Sequence, residues 1–368
     1  MIMSKQRLAY LCGTRAWGGL EMNQFRNCLW MMQRGHQVLL LAKENSPILI
    51  QAQQANIPVR IIAEHHRFKY LAASFRLGRI LKEEKITHLF VRASTDLNIA
   101  AIAKTLVGRK LRLLYFMEMQ IGINKKSFLH RARYRKIDHW ICPLNYLTEQ
   151  VVQRTGFNKR KISQLHSAIN LEEQHLLDQD SCRESLKLPK GQLLFGLIGR
   201  IDPHKGQLLL LQALQIVNDP NVSICFMGEQ TRDASNSYLN SLHQFIRENK
   251  LSEQVHFLDF QENPSEFYNA VDCVIMASRS ETFGMVTVES FAHGKPVIGS
   301  ASGGTPELIH QDALGFLFET DRADDLAKQM VLFKEKKESF DPNQITQEAK
   351  KFDHHQICRE IEERYLSK

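Results

Sequence analysis

Two glutamates stand in the segment Ser280-Glu281-Thr282-Phe283-Gly284-Met285-Val286-Thr287-Val288-Glu289. Glu281 lies in a polar stretch with a glycine. Glu289 lies in an apolar run, 286–292, with helical spacing. This pattern predicts a helix that starts after Glu281 and carries Glu289 about two turns beyond it, at about 3.6 residues per turn. A carboxylate accepts two hydrogen bonds well, and the paired hydroxyls of a ribose or hexose supply them. Two carboxylates on one loop–helix unit suit a ligand with two hydroxylated parts. The same spacing is common on solvated helices, so the neighbouring motifs decide its weight.

Gly199-Arg200-Ile201-Asp202-Pro203-His204-Lys205-Gly206 joins an apolar strand pattern to a helical one. Glycines allow a tight turn, and a helix N-terminus offers unbonded N–H groups to an anion. Arg200 can fork onto phosphate oxygens, and Lys205 adds a point charge. The segment lacks the G-x-x-x-x-G-K-[ST] order of a nucleoside triphosphate loop. Trp17-Gly18-Gly19-Leu20-Glu21 makes a second strand-to-helix turn, where Gly18 and Gly19 permit close approach of a ligand. Glu21 is either a ligand contact or a first-turn carboxylate favoured by the helix dipole.

The elements that must position these residues alternate regularly. Strands are expected at 7–13, 36–42, 59–63, 87–91, 111–117 and 137–142, with helices at 20–33, 71–84 and 97–106. A polar stretch at 170–191 reads as a linker. Beyond it, strands are expected at 193–199, 222–227, 255–258, 273–277, 296–299 and 315–318. Helices are expected at 206–217, 238–249, 265–270, 286–293, 305–310 and 323–334. The strands are continuous apolar runs, as in sheets buried on both faces. The fold expected is therefore α/β, with two doubly wound, Rossmann-like domains facing across a cleft, 1–170 and 171–351. Ligands of such sheets bind beyond the carboxyl ends of the strands.

A chain of 368 residues, 43% hydrophobic, has the length for two domains and the apolar content for two cores. Its seven cysteines are scattered and form no C-x-x-C pair, which argues for a reducing compartment rather than a disulfide framework or zinc knuckle. No segment has the ~18 apolar residues of a membrane span, and the N-terminus reads as a first strand, not a leader. The net charge of +8 is unevenly spread. Residues 1–170 hold 28 Lys/Arg against 9 Asp/Glu, a balance of +19, and the remainder holds 20 against 31, a balance of −11. The first half is suited to something anionic.

The segments 199–206, 280–289 and Gly303-Gly304-Thr305-Pro306-Glu307 resemble the group-one (family 4) retaining glycosyltransferases of GT-B fold. The stretch FLDFQENPSEFYNAVDCVIMASRSETFG resembles the same family almost without a break. The likeness is strong over 193–330. In the first domain it rests on the order of elements and on Gly18, Gly19 and Glu21. Residues 352–365 look like the family's final helix, and the segment 352–368 would pack back on the first domain.

The resemblance implies roles residue by residue. Gly199 opens the phosphate turn. Arg200 and Lys205 would bind the donor diphosphate and stabilise the departing nucleotide. Glu289 would accept from the ribose hydroxyls. Glu281 would lie by the donor sugar, near the backbone N–H groups of Phe283, Gly284, Met285 and Val286. Gly18 and Gly19 would cover the phosphates. The residues depart from the family at two places. Where a histidine often follows the strand at 111–117, this chain has Glu118, which would serve as a polar contact or base. The family's Gly-x-Gly appears as Gly228-Glu229-Gln230.

Other signals carry less. Asp178-Gln179-Asp180 has a D-x-D order, but it lies in the polar stretch with no strand before it. His65-His66 and His354-His355 lack metal-ligand spacing and read as surface pairs. Met31-Met32 reads as core. Lys125, Lys126 and the run 130–136 form a basic face, interleaved with Phe128, Leu129 and Trp140. No RNA-binding module is visible, so an anionic membrane surface is expected rather than nucleic acid.

The chain is thus expected to be a retaining, metal-independent enzyme that moves a hexose to a glycan or lipid-linked envelope precursor. Its co-substrate would be a nucleoside diphosphate sugar of UDP or GDP type, with no cofactor. It is expected to be a cytoplasmic monomer, peripheral at the inner face of the membrane. A sugar-nucleotide epimerase or phosphorylase of the same fold, or a non-catalytic sugar-nucleotide-binding protein, are the alternatives.

Overall fold

Strands that are apolar on both faces need cover on both faces, and helices supply it. The computed structural model of the chain describes residues 5–63, 70–229 and 237–367. The chain divides into two units, Met1–Ala168 with His354–Lys368, and Ile169–Asp353.

The first unit contains a seven-stranded parallel sheet. Its strands are β1 (Arg7–Cys12), β2 (Gln37–Ala42), β3 (Val59–Ile61), β4 (His88–Val91), β5 (Arg112–Phe116), β6 (His139–Cys142) and β7 (Ile162–Gln164). The order is β3-β2-β1-β4-β5-β6-β7, so the direction of winding reverses between β1 and β4. Helices α1 (Gly19–Gln33), α2 (Pro47–Gln54), α3 (Tyr70–Glu83), α4 (Leu97–Val107), α5 (Phe128–Tyr134) and α6 (Asn145–Thr155) connect them. Alternate residues of β1 enter two separate cores. Ala9 and Leu11 pack with α3 and α4, while Leu8 and Tyr10 pack with α1 and α2.

The second unit begins with α7 (Gln179–Ser185) and has a six-stranded parallel sheet in the order β10-β9-β8-β11-β12-β13. The strands are β8 (Leu193–Ile198), β9 (Val222–Met227), β10 (Val255–Leu258), β11 (Cys273–Met276), β12 (Val297–Ser300) and β13 (Gly315–Phe318). Helices α8 (Gln207–Val217), α9 (Ser237–Glu248), α10 (Ser265–Ala270), α11 (Met285–Ala292), α12 (Thr305–Leu308), α13 (Ala323–Lys336) and α14 (Pro342–Ala349) complete it. Here the winding reverses between β8 and β11.

The stretch 170–191 is not merely a linker. It contains α7, whose Arg183 is buried and pairs with Asp272 at 2.9 Å and with the carbonyl of Ala270 at 2.8 Å. Polar composition concealed a docked helix because its anchor is a guanidinium. Burial works to raise the Asp272 carboxyl pKa, but the N–H of Leu194, Lys337 and Arg183 together bring it below the usual range. Asp178 is the N-cap of the same helix, accepting from the Ser181 N–H at 2.9 Å. Its side chain is a helix cap.

The chain ends on the first unit. Helix α15 (His354–Ile361) buries His354, Ile357, Cys358 and Ile361, and a π turn, Glu362–Leu366, follows. Glu362 accepts from Arg34 Nε at 2.8 Å and Nη2 at 2.6 Å, and lies 3.1 Å from His36 Nε2. Tyr365 Oη meets Ser163 Oγ at 2.7 Å. The expectation of a surface pair at His354-His355 is half wrong. His355 is exposed, but His354 packs on the ring of Trp30 at 4.8 Å, because it falls on the apolar stripe of α15. The His65-His66 pair lies outside the described residues.

Candidate active site

In doubly wound sheets, ligands bind where the winding reverses, beyond the carboxyl ends of the strands. In the second unit that point lies between β8 and β11. The loop leaving β8 carries Gly199, Arg200 and a single 3-10 turn, Pro203–Lys205, before α8. The loop leaving β11 carries Glu281, and Lys205 Nζ donates to Glu281 Oε2 at 3.2 Å across the reversal. Their side chains are 33% and 21% exposed, so the pair can exchange partners with a ligand. Arg200 is exposed on the same loop, with its carbonyl fixed by the buried side chain of Gln207 at 2.8 Å.

A third loop holds Glu281 in place. Gly303 has φ +60, and a Cβ there would lie 2.3 Å from the carbonyl oxygen of Glu281. That carbonyl also accepts from the N–H of Gly304 at 2.8 Å. The two-glycine segment after β12 therefore clasps the backbone of the carboxylate loop, and no larger residue fits there. Gly228 plays a similar part between β8 and β9: a Cβ would stand 2.1 Å from the carbonyl oxygen of Gly199. Gly228 thus serves an internal approach. Gln230, the rest of that departure, lies outside the described residues.

Gly284 is the N-cap of α11, with φ +86, and Phe283 is buried beside it against Phe352. The N–H groups of Met285 and Val286 precede the first bond of α11, from the Thr287 N–H to the Gly284 carbonyl at 3.0 Å, and form an anion-attracting end. Glu289 follows just over one turn into α11. Tyr268, fully buried on α10, donates to Glu289 Oε2 at 2.7 Å. His293 stacks on Tyr268 at 4.9 Å and donates from Nδ1 to the Glu289 carbonyl at 2.8 Å. Burial pushes the His293 pKa down, so the ring stays neutral and Nε2 accepts from Ser265 Oγ at 3.3 Å. Burial first, and the Glu289 charge next, push the Tyr268 hydroxyl well up, so it remains a donor. Neither Tyr268 nor His293 was expected from sequence, where an aromatic in a helical pattern reads as core.

In the first unit, Gly18 caps α1 and Gly19 begins it. Glu21 closes on its own turn, accepting from the Gly18 N–H at 3.1 Å and from Thr14 Oγ1 at 2.8 Å. Of the two readings of Glu21, the capping carboxylate is the one observed. A Cβ on Gly19 would meet nothing within 4 Å, so the fold itself does not require glycine there.

Glu118 lies two residues beyond β5, and its surroundings differ from those of Glu281. It is ion-paired with Arg92, both side chains being nearly buried at 9% and 7% exposure. Ser167 Oγ donates to Oε1 at 3.1 Å, and Asn23 Nδ2 to Oε2 at 3.4 Å. The adjoining cavity of about 20 Å3 has room for a water, not a sugar. Arg92, Ser167 and Asn23 come from three different loops or helices, and no local pattern announces them.

Two family models match the chain: "Glycosyl transferases group 1" over residues 178–352 and "Glycosyltransferase Family 4" over 17–173. Between them the two models match the chain from residue 17 to residue 352, apart from 174–177, so its resemblance to the group 1 and family 4 glycosyltransferases runs through both units. Among curated relatives of this family, a D-inositol 3-phosphate glycosyltransferase of Mycobacterium sp. (strain JLS) is 31% identical over 184 residues. That match spans 50% of this chain and 41% of the relative. The chain thus covers less than half the length of the curated relatives it matches. Among solved structures, Anabaena Alr3699/HepE in complex with UDP has a TM-score of 0.85 at 22% identity, covering 97% of this chain and 99% of that one. A glycosyltransferase from Rickettsia africae has a TM-score of 0.88 at 16% identity, covering 98% and 97%. At these identities the structures establish the fold, which is GT-B. Among the described residues, no helix is long and apolar enough to cross a membrane.

Proposed function

We propose that this glycosyltransferase is retaining and metal-independent, and that it transfers a hexose from a nucleoside diphosphate sugar. The acceptor is a glycan or lipid-linked precursor of the cell envelope, met by the chain as a monomer at the cytoplasmic face of an anionic membrane. The observation that carries the reading is the contact of Lys205 with Glu281 across the β8/β11 reversal, with Arg200 exposed on the same loop as Lys205 and Glu289 just over one turn into α11. Uridine is favoured as the donor base, because the related Anabaena protein is known in complex with UDP and with UDP-glucose.

Glu289, held on one oxygen by Tyr268, accepts from the ribose hydroxyls. Glu281 orients the hexose. As the bond from the anomeric carbon to the phosphate oxygen breaks, charge grows on the diphosphate. Arg200, Lys205 and the N-terminal end of α11 meet that charge, and no cofactor is required. The acceptor oxygen bonds the anomeric carbon from the side the phosphate leaves. Its proton passes to the departing phosphate oxygen, so no protein base is needed. Glu118, paired with Arg92, shapes the first unit rather than taking that proton.

Calorimetric titration with UDP, GDP and ADP tests the donor. Binding of UDP above the other two, with slow release of free hexose from the matching sugar nucleotide, is the expected result. If none of the three binds, the donor site is misassigned. If they bind but no acceptor is ever glycosylated, the chain is a binding protein.

A further inference from the structure

Beyond Glu118, the loop that leaves β5 enters the most one-sided stretch of the first unit. Residues 119–137 contain six Lys/Arg and no Asp or Glu. The carboxylates on either side are turned inward, Glu118 to Arg92 and Asp138 to Lys104. Arg133 is also engaged inside, with Asn98 Oδ1 at 2.9 Å and the Tyr134 hydroxyl at 3.0 Å. The surface bases are therefore Lys126, Arg131 and Arg135, with no neutralising carboxylate in the segment. Burial, then the charge of Arg133, pushes the pKa values of Lys125 and His130 down, as crowded cations require.

Apolar side chains stand among these bases. Leu129, Phe128 and Ile123 are 80%, 75% and 68% exposed, the three most exposed large apolar side chains among the described residues. They are held outward. Ile121 is buried, its N–H bonded to Gln150 Oε1 at 2.9 Å, and the Lys125 N–H reaches the Arg154 carbonyl at 2.7 Å. Tyr134 anchors α5 from below against Trp140, with ring centroids 4.9 Å apart. Phe128 and Arg131 on α5, and Arg135 at its C-cap, recur at helical spacing on one face. An ordered loop that presents greasy tips between cations suits an interface that is anionic outside and hydrocarbon inside. Nucleic acid would reward the cations but not Leu129 and Ile123, and a single exposed phenyl ring makes no stacking platform.

We propose that α5 and the loop before it dock on an anionic lipid surface. Ile123, Phe128 and Leu129 enter the acyl boundary, while Lys126, Arg131 and Arg135 meet the headgroup phosphates. This deepens the function proposed above, and rests on it, by naming the element through which the enzyme reaches its membrane.

Flotation of the full chain with phosphatidylcholine vesicles, with and without phosphatidylglycerol, tests it at low and high salt. The wild type is expected to float only with the anionic vesicles. Replacing Lys126, Arg131 and Arg135 by Gln lowers the partition at low salt by about fivefold per base. Phe128→Ser with Leu129→Ser removes the part of binding that survives high salt. Wild-type flotation by both variants, or none by the wild type, overturns the proposal. So does a duplex oligonucleotide whose binding the variants lose while vesicle binding persists. UDP titration of the same variants separates the two ideas. Unchanged UDP affinity with lost flotation supports docking by this surface. Flotation as expected, with no UDP binding in any form, leaves the docking standing and removes the donor reading.

Discussion

Glu281 in the second unit and Glu118 in the first are both carboxylates facing a cation beyond a strand end, yet their surroundings differ. Glu281 holds Lys205 at 3.2 Å with a fifth of its own side chain open, at 21% exposure. Glu118 is 9% exposed and bonded on both oxygens, by Arg92 and Ser167 on one and Asn23 on the other. An exposed pair contributes little to stability and can be re-partnered by a ligand. A buried pair contributes little net stability but is costly to break, because the survivor is left charged without water. The same residue type is thus open to a ligand in one unit and closed off in an internal pair in the other, and exposure separates the two.

The largest expected effect breaks the internal pair of Glu118 and Arg92. Arg92→Met leaves Glu118 buried without a cation, at a cost of about 3–5 kcal/mol. The three tryptophans, Trp17, Trp30 and Trp140, all lie in the first unit, so a tryptophan-fluorescence melt reads that unit alone. Its midpoint should fall well below wild type, and Glu118→Gln in the same chain should restore part of it. An unshifted midpoint would contradict that cost. Lys205→Ala is the converse. The fluorescence melt should hardly move, while kcat should fall by about 100- to 1,000-fold, the range for losing one group that stabilises developing charge. Wild-type turnover in Lys205→Ala would remove Lys205 from the diphosphate site.

The difference between the units also sets what could be read from sequence. Glu281, Gly284 and Glu289 lie within nine residues of chain, and the strand–loop–helix pattern around them is strong. The partners of Glu118 lie 26, 49 and 95 residues away, where no local pattern links them. Strands β9, β10 and β13 begin and end where apolar runs do, because sheets covered on both faces make such runs. Helices α6 and α14 and the three-residue strand β7 escaped notice, being short and rich in polar residues. Tyr268 escaped for another reason. A buried tyrosine looks like core until its hydroxyl is seen to aim at Glu289.

A pH titration sharpens the contrast further. Burial lowers the His88 pKa to about 4, despite an opposing hydrogen bond with the backbone of Tyr365. His88 is therefore neutral in the fold, while the unfolded chain takes up a proton near pH 6.5. Stability from this neutral ring is fully present above pH 6.5 and is lost as pH falls towards about 4, by up to about 3 kcal/mol. The tryptophan melt of the first unit should fall over that window, and His88→Gln should flatten the fall. His139, also lowered by burial, leaves a residual slope in the variant. Equal slopes in the two proteins would mean that His88 is already charged or already hydrated in the fold.

The smallest expected effect bears on the second unit's other carboxylate. Tyr268 touches Glu289 and no expected ligand, so it acts by positioning. Tyr268→Phe keeps the ring, and with it the stacking on His293, and removes the hydroxyl alone. The lost hydrogen bond is worth about 1.4 kcal/mol, or about tenfold, and should appear in the donor KM with kcat nearly unchanged. A purely structural hydroxyl would instead lower stability and leave KM alone. The decisive comparison is made in a Glu289→Ala background. If the hydroxyl works through the carboxylate, its removal there should change KM by less than about twofold, because residues in one hydrogen-bond network are not additive. A full tenfold loss in both backgrounds would mean that Tyr268 acts on the donor site by a route other than Glu289.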